Sequence, residues 1–179
     1  NMEAVAKNAT IHSTDATDAQ TYVLVIGEST NRNRLSLYGY PRDTNPRLQE
    51  IRHELLVYND VVANIPYTIE SLSSTLTFTP PEKYNEAYRA MNVITMMKKA
   101  GFKTFWITNQ QTLTHRNTML TAFAKLTDEP TFLNNNRRQS ANSYDEVVLK
   151  PFADALSDNA KRKLIVVHLI GNQFAYEYR

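Results

Sequence analysis

Hydrophobic and polar positions alternate between two patterns along the chain. Tyr22-Val-Leu-Val-Ile26 is a nearly continuous, β-branched run that stops at Gly27. Phe102-Lys-Thr-Phe-Trp-Ile107 follows the helix stop Ala100-Gly101, and Leu164-Ile-Val-Val-His-Leu-Ile170 stops at Gly171. Short apolar runs of this kind predict strands covered on both faces. Residues 55–62 form a weaker fourth candidate. The intervening segments have helical spacing. Residues 46–53 open with Asn45 as a cap and Pro46 at the first helical position. Residues 68–77 carry Ile69, Leu72 and Leu76 on one face. Residues 91–100 carry Val93, Ile94, Met96 and Met97, and close on Lys98 and Lys99, where cations complement the helix dipole. Residues 143–156 carry Val147, Val148, Phe152 and Leu156, with a split or kink expected at Pro151.

Strands alternating with helices predict an α/β layer fold with a mostly parallel sheet. Residues 1–20 are polar and without period, and read as a leader or linker; residues 21–179 read as one folded region. In such sheets, ligand sites form beyond the carboxyl ends of the strands.

Composition narrows the chemistry. Apolar residues make up 42% and charged residues 21%, as in globular domains. The net charge of +2 predicts no nucleic-acid partner, which requires a concentrated basic patch. The absence of cysteine removes disulfides, cysteine nucleophiles and zinc–thiolate sites. No apolar run approaches the ~20 residues of a membrane-spanning helix, so any membrane anchor is expected outside these residues.

Gly27-Glu-Ser-Thr30 lies where the first predicted strand ends. By itself it has three readings. Glu28 is a solvated turn residue; Ser29 is a nucleophile; or Glu28 is a metal ligand, since a carboxylate at a strand end suits a hard or borderline cation. The Ser29 reading is weakened because Asn31 stands where a nucleophile elbow has glycine. A looser likeness to the GDS-type lipases lacks their late Asp-x-x-His.

The longer stretch Gly27-Glu-Ser-Thr-Asn-Arg-Asn-Arg-Leu-Ser-Leu-Tyr-Gly-Tyr-Pro-Arg-Asp-Thr-Asn-Pro46 resembles the opening motif of bacterial phosphoethanolamine transferases, within the alkaline-phosphatase and sulfatase superfamily. The likeness continues through Trp106-Ile-Thr-Asn-Gln110 to the strand with His168. It is nearest to the cysteine-free branch that modifies the lipopolysaccharide core. It implies a sulfatase-like sandwich with a central, mostly parallel sheet flanked by helices, of which this chain is the first part. It also implies a periplasmic domain of an inner-membrane protein. Such a protein transfers phosphoethanolamine from phosphatidylethanolamine to lipopolysaccharide or another envelope glycan. Related readings are a phosphoester hydrolase using the same metal site, and a non-catalytic envelope module of the same descent.

The resemblance assigns residues as well. Zinc is implied as the cofactor, with Glu28 as a ligand. The family nucleophile is a threonine about 40 residues later, which is Thr68. Thr68 opens a predicted helix, whose free N–H groups suit a phosphate oxyanion. Helix capping is its alternative role. Asn109 and Gln110 are implied to contact the phosphoethanolamine group, and His168 is a weaker candidate. His115 reads as a surface residue. The sulfatases' own C/S-x-P-x-R motif is absent. Two departures stand out. Gln173 replaces the second histidine of the family's His-x-x-Gly-x-His, and glutamine neither shuttles protons nor binds zinc well. The late Asp-His ligand pair does not occur before Arg179. With Glu28 and Thr68 alone, the expected zinc site is incomplete and weak.

Overall fold

The computed structural model describes residues 5, 7, 9–11, 18–112, 118–135 and 142–173. The chain forms two compact units. One comprises Asn1–Glu28 with Asn64–Arg179, and the other Ser29–Ala63.

Among the described residues, the larger unit is built on four parallel strands, β1 (Gln20–Ile26), β2 (Lys103–Thr108), β3 (Glu129–Phe132) and β4 (Arg162–His168). Their order is β1-β4-β2-β3. The central strands explain their own sequences. Alternate side chains of a strand face opposite sides of a sheet. Trp106, Leu164 and Val166 face one core, with Leu76, Ile94, Met119 and Phe123. Phe105, Ile107, Ile165 and Val167 face another, with Val148, Ala155 and Phe152. Helices α2 (Thr68–Thr75), α3 (Val93–Lys99) and α4 (Thr118–Leu126) supply the first core, and α5 (Leu149–Leu156) the second. The sandwich expected from the resemblance is therefore present as a fully parallel four-stranded portion.

Several expectations need correction. β1 is an edge strand. Leu24 and Ile26 pack on the first core, whereas Val23 and Val25 on the opposite face are exposed. The fourth strand is not 55–62 but Glu129–Phe132. The sequence Glu-Pro-Thr-Phe hides it, because Pro130 cannot donate to a ladder and is tolerated only where that hydrogen bond is not required, as at an edge. Residues 55–62 belong to the smaller unit and form no strand; the chain bends at Asn59 and Asp60, and Leu56, Val61 and Val62 are exposed. The 143–156 pattern does split, but ahead of Pro151. A 3-10 turn, Asp145–Val148, leads into α5, which places Pro151 in the first helical turn. There its missing N–H costs nothing.

In the smaller unit, α1 (Pro46–Glu50) follows two 3-10 turns, Arg32–Arg34 and Ser36–Tyr38. Asn45 precedes α1 as expected, but its side chain accepts from Leu37 N at 3.1 Å and Ser36 Oγ at 2.5 Å instead of capping the helix. The predicted 46–53 helix continues as a separate 3-10 turn, Arg52–Glu54.

Candidate metal and nucleophile site

Register decides what meets at the top of the larger sheet. Ile26 and Thr108 both pair with His168, so β1, β2 and β4 end level with one another. Glu28, Asn109, Gln110 and the turn 169–172 lie just beyond those ends.

Thr68 is the first residue of α2, following Tyr67 as an extended N-cap residue that makes no side-chain capping bond. The Thr68 hydroxyl does not cap the helix either. It donates toward Glu28, with Oγ1 3.0 Å from each carboxylate oxygen. A hydroxyl has one hydrogen to give, so the two oxygens share it. Both residues are half-buried.

Gln110 joins this pair. Its Nε2 donates to Leu169 O at 2.7 Å and lies 3.5 Å from Glu28 Oε2. Asn109 is placed differently. It is fully buried, its Nδ2 donates to Asp145 Oδ1 at 3.0 Å, and its Oδ1 accepts from Ser143 Oγ at 2.6 Å. Its backbone oxygen accepts from Asn134 Nδ2 at 3.1 Å. Nothing in the sequence points to Asp145, Ser143 or Asn134. An acidic residue at the head of a helical pattern reads as a dipole partner, and nothing local signals a bond reaching to Asn109 or Gly171.

His168 is buried within β4, edge-on to Trp106 at a centroid distance of 6.3 Å. Burial lowers its pKa to about 4, so the ring is neutral near pH 7. Its Nε2 has no hydrogen-bond partner among the described residues. It borders a cavity of about 10 Å³ lined by Thr108, Gln110, Gln111 and Phe132, about enough for one water molecule. Gln173 is half-buried, and its backbone N–H closes the turn onto Ile170 O at 3.2 Å. His115 lies outside the described residues.

Glu28 and Thr68 offer a carboxylate and a hydroxyl, oxygen donors of the kind a zinc ion accepts as part of its shell. Among the described residues, no group of three or more His, Asp or Glu side chains gathers. The pair therefore fits as part of a ligand set.

Residues 20–179 match the sulfatase family. The chain belongs to that family. It is similar to phosphoethanolamine transferase EptC of Escherichia coli (strain K12), 53% identical over 166 residues that cover 90% of this chain and 29% of that protein. It is also similar to phosphoethanolamine transferase CptA of Salmonella typhimurium (strain LT2), 51% identical over 94% of this chain and 29% of the relative. The chain thus spans under a third of these curated relatives. A crystal structure of the C-terminal periplasmic domain of Escherichia coli EptC in complex with zinc superposes with a TM-score of 0.84 at 53% identity. It covers 91% of this chain and 46% of that domain. The sulfatase-like α/β fold expected from the motif is the fold of this chain, and the chain corresponds to the N-terminal part of that catalytic domain.

Proposed function

We propose that this chain forms the nucleophile-bearing part of a phosphoethanolamine transferase. The observation that carries the reading is the contact between Thr68 Oγ1 and both carboxylate oxygens of Glu28. In support, the chain's similar relatives are named as phosphoethanolamine transferases, and one has been solved with zinc.

Glu28 and Thr68 would hold zinc, which supplies the Lewis-acid charge that lowers the pKa of a bound hydroxyl. The protein's own groups account for the rest. Glu28 accepts the Thr68 hydrogen bond and so orients the oxygen. Thr68 Oγ1 attacks the phosphorus of phosphatidylethanolamine, a new P–O bond forms, and the P–O bond to diacylglycerol breaks. Thr68 gives up its hydroxyl proton as the new bond forms, and the leaving diacylglycerol oxygen takes one up, so protons balance across the step. An acceptor hydroxyl or phosphate oxygen of lipopolysaccharide or another envelope glycan then displaces Thr68, which regains its proton. The first turn of α2 has no side-chain cap, and its N–H groups suit the phosphoryl oxygens. We read Gln110 as a group that steadies Glu28 and faces the donor. Asn109 supports the site from below, since its amide is already committed. His168 and Gln173 take no part in these steps.

The lipid donor places the reaction at the periplasmic face of the inner membrane. None of the described helices is long and apolar enough to cross a membrane, so attachment would come from elsewhere in the protein.

The deciding experiment incubates the full-length protein with headgroup-labelled phosphatidylethanolamine and maps the label by peptide mass spectrometry. Label is expected on the Thr68 peptide, followed by transfer to a glycolipid. Label released only as free ethanolamine phosphate would instead assign a hydrolase. Label on another residue would refute Thr68.

A further inference from the structure

Asp145 has no role in the steps above, yet its carboxylate joins the strand ends that carry the site. Both of its oxygens are occupied by N–H donors from other elements. Oδ1 accepts from Asn109 Nδ2 at 3.0 Å and Ile170 N at 2.9 Å, and Oδ2 accepts from Gly171 N at 2.8 Å. Bonds of this type are charge-assisted and about twice as strong as neutral ones.

Gly171 rests directly on Glu28. With φ of +50°, it approaches so closely that an added Cβ would lie 3.0 Å from Glu28 O and 3.1 Å from Glu28 N. The next residue, Asn172, donates its N–H to Glu28 O at 3.2 Å. The carboxylate of Asp145 therefore sets the seat of the turn against which the Glu28 backbone lies. The Glu28 side chain, positioned in this way, meets Thr68.

We infer that Asp145 is a positioning residue for Glu28, acting through the Ile170–Gly171 turn, and that its loss separates the Glu28–Thr68 pair without touching either member. The metal part of this inference rests on the reading of Glu28 as a ligand; the geometric part does not.

Asp128 supplies the control. Its carboxylate clamps the opposite end of β2, accepting from Thr104 N and Thr104 Oγ1 at 2.8 Å each and pairing with Lys98 at 2.9 Å. It is the same kind of clamp, remote from Glu28.

The test compares Asp145→Asn with Asp128→Asn in the full-length protein. Asp145→Asn keeps the shape but turns an N–H₂ group toward a backbone N–H. Expected for Asp145→Asn is a zinc affinity 10- to 100-fold lower by chelator competition, the size seen for groups that orient metal ligands. Its crystal structure is expected to show Thr68 Oγ1 beyond hydrogen-bond reach of Glu28. Asp128→Asn is expected to lower the melting temperature and leave zinc affinity unchanged. Retention of both zinc affinity and the Glu28–Thr68 contact in Asp145→Asn overturns the inference, as does an equal loss of affinity in Asp128→Asn. If the wild type binds no zinc but the contact opens in Asp145→Asn, Glu28 is not the ligand and the positioning role stands. Should Asp145→Asn not fold, Asn109→Ala removes one of the three donors to Asp145. A smaller loss of affinity supports the coupling, and no loss overturns it.

Discussion

The hydroxyl oxygen of Thr68 lies 3.0 Å from each carboxylate oxygen of Glu28, across forty residues of sequence. The contact brings the end of β1 to the start of α2, and with it an acceptor charge to a hydroxyl at a helix N-terminus.

If Thr68 is the nucleophile, Thr68→Ala loses transfer by on the order of 10⁴-fold or more, the scale for removing a nucleophile. Thr68→Ser, which keeps the hydroxyl, retains measurable activity. Both variants should fold: Thr68→Ala removes one partly exposed hydrogen bond worth about 1 kcal/mol, and Thr68→Ser keeps it. Parallel turnover assays and thermal melts decide the matter; Thr68→Ala with near-normal turnover rejects the assignment.

Glu28→Gln preserves shape but removes the charge and one acceptor. Zinc affinity should fall at least ~10-fold, the lower bound for a change that only reorients a ligand. The melting temperature should change little, because Glu28 is half-exposed. Chelator competition and calorimetry on the same sample separate the two effects.

Gly171→Ala should destabilise the protein by more than Gly39→Ala. Both glycines have positive φ, +50° and +93°, and that conformation costs an alanine about 1–2 kcal/mol. Only at Gly171 does the new Cβ meet backbone atoms, those of Glu28, which cannot swing aside; at Gly39 nothing lies within 4 Å. Denaturant unfolding of the two variants measures the difference.

His168 makes stability fall on acidification. Its folded pKa is about 4, below the ordinary 6.5, through burial opposed in part by Asp145. Between these values the unfolded chain binds the proton and the folded chain does not, so stability rises with pH across that window. The loss from pH 7 down to 4 amounts to about 3 kcal/mol for this one group. His168→Gln should flatten the stability profile in that range, as followed by denaturant unfolding at several pH values.

The central strands were legible because β2 and β4 are covered on both faces, and their apolar runs say so. β3 was not, because a four-residue edge strand containing Pro130 carries neither the length nor the pattern of a buried one. The run at 55–62 misled for the opposite reason: it has the composition of a strand but no strand partner among the described residues. The motif and its spacing singled out Glu28 and Thr68, and the structure brings these two side chains into contact. Asp145 was not, since its partners Asn109 and Gly171 lie 36 and 26 residues away and leave no local trace.

By itself, then, the sequence determined residue chemistry and periodicity: that the runs of β2 and β4 are covered on both faces, where the central strands end, that a carboxylate follows the end of β1 and that a hydroxyl opens α2. Only the tertiary structure decided the strand order, the edge position of β1 and the network seating Glu28. Hydrophobic periodicity records how a segment meets its surroundings. Which distant donor meets which acceptor depends on register and crossover, and those exist only once the sheet is assembled.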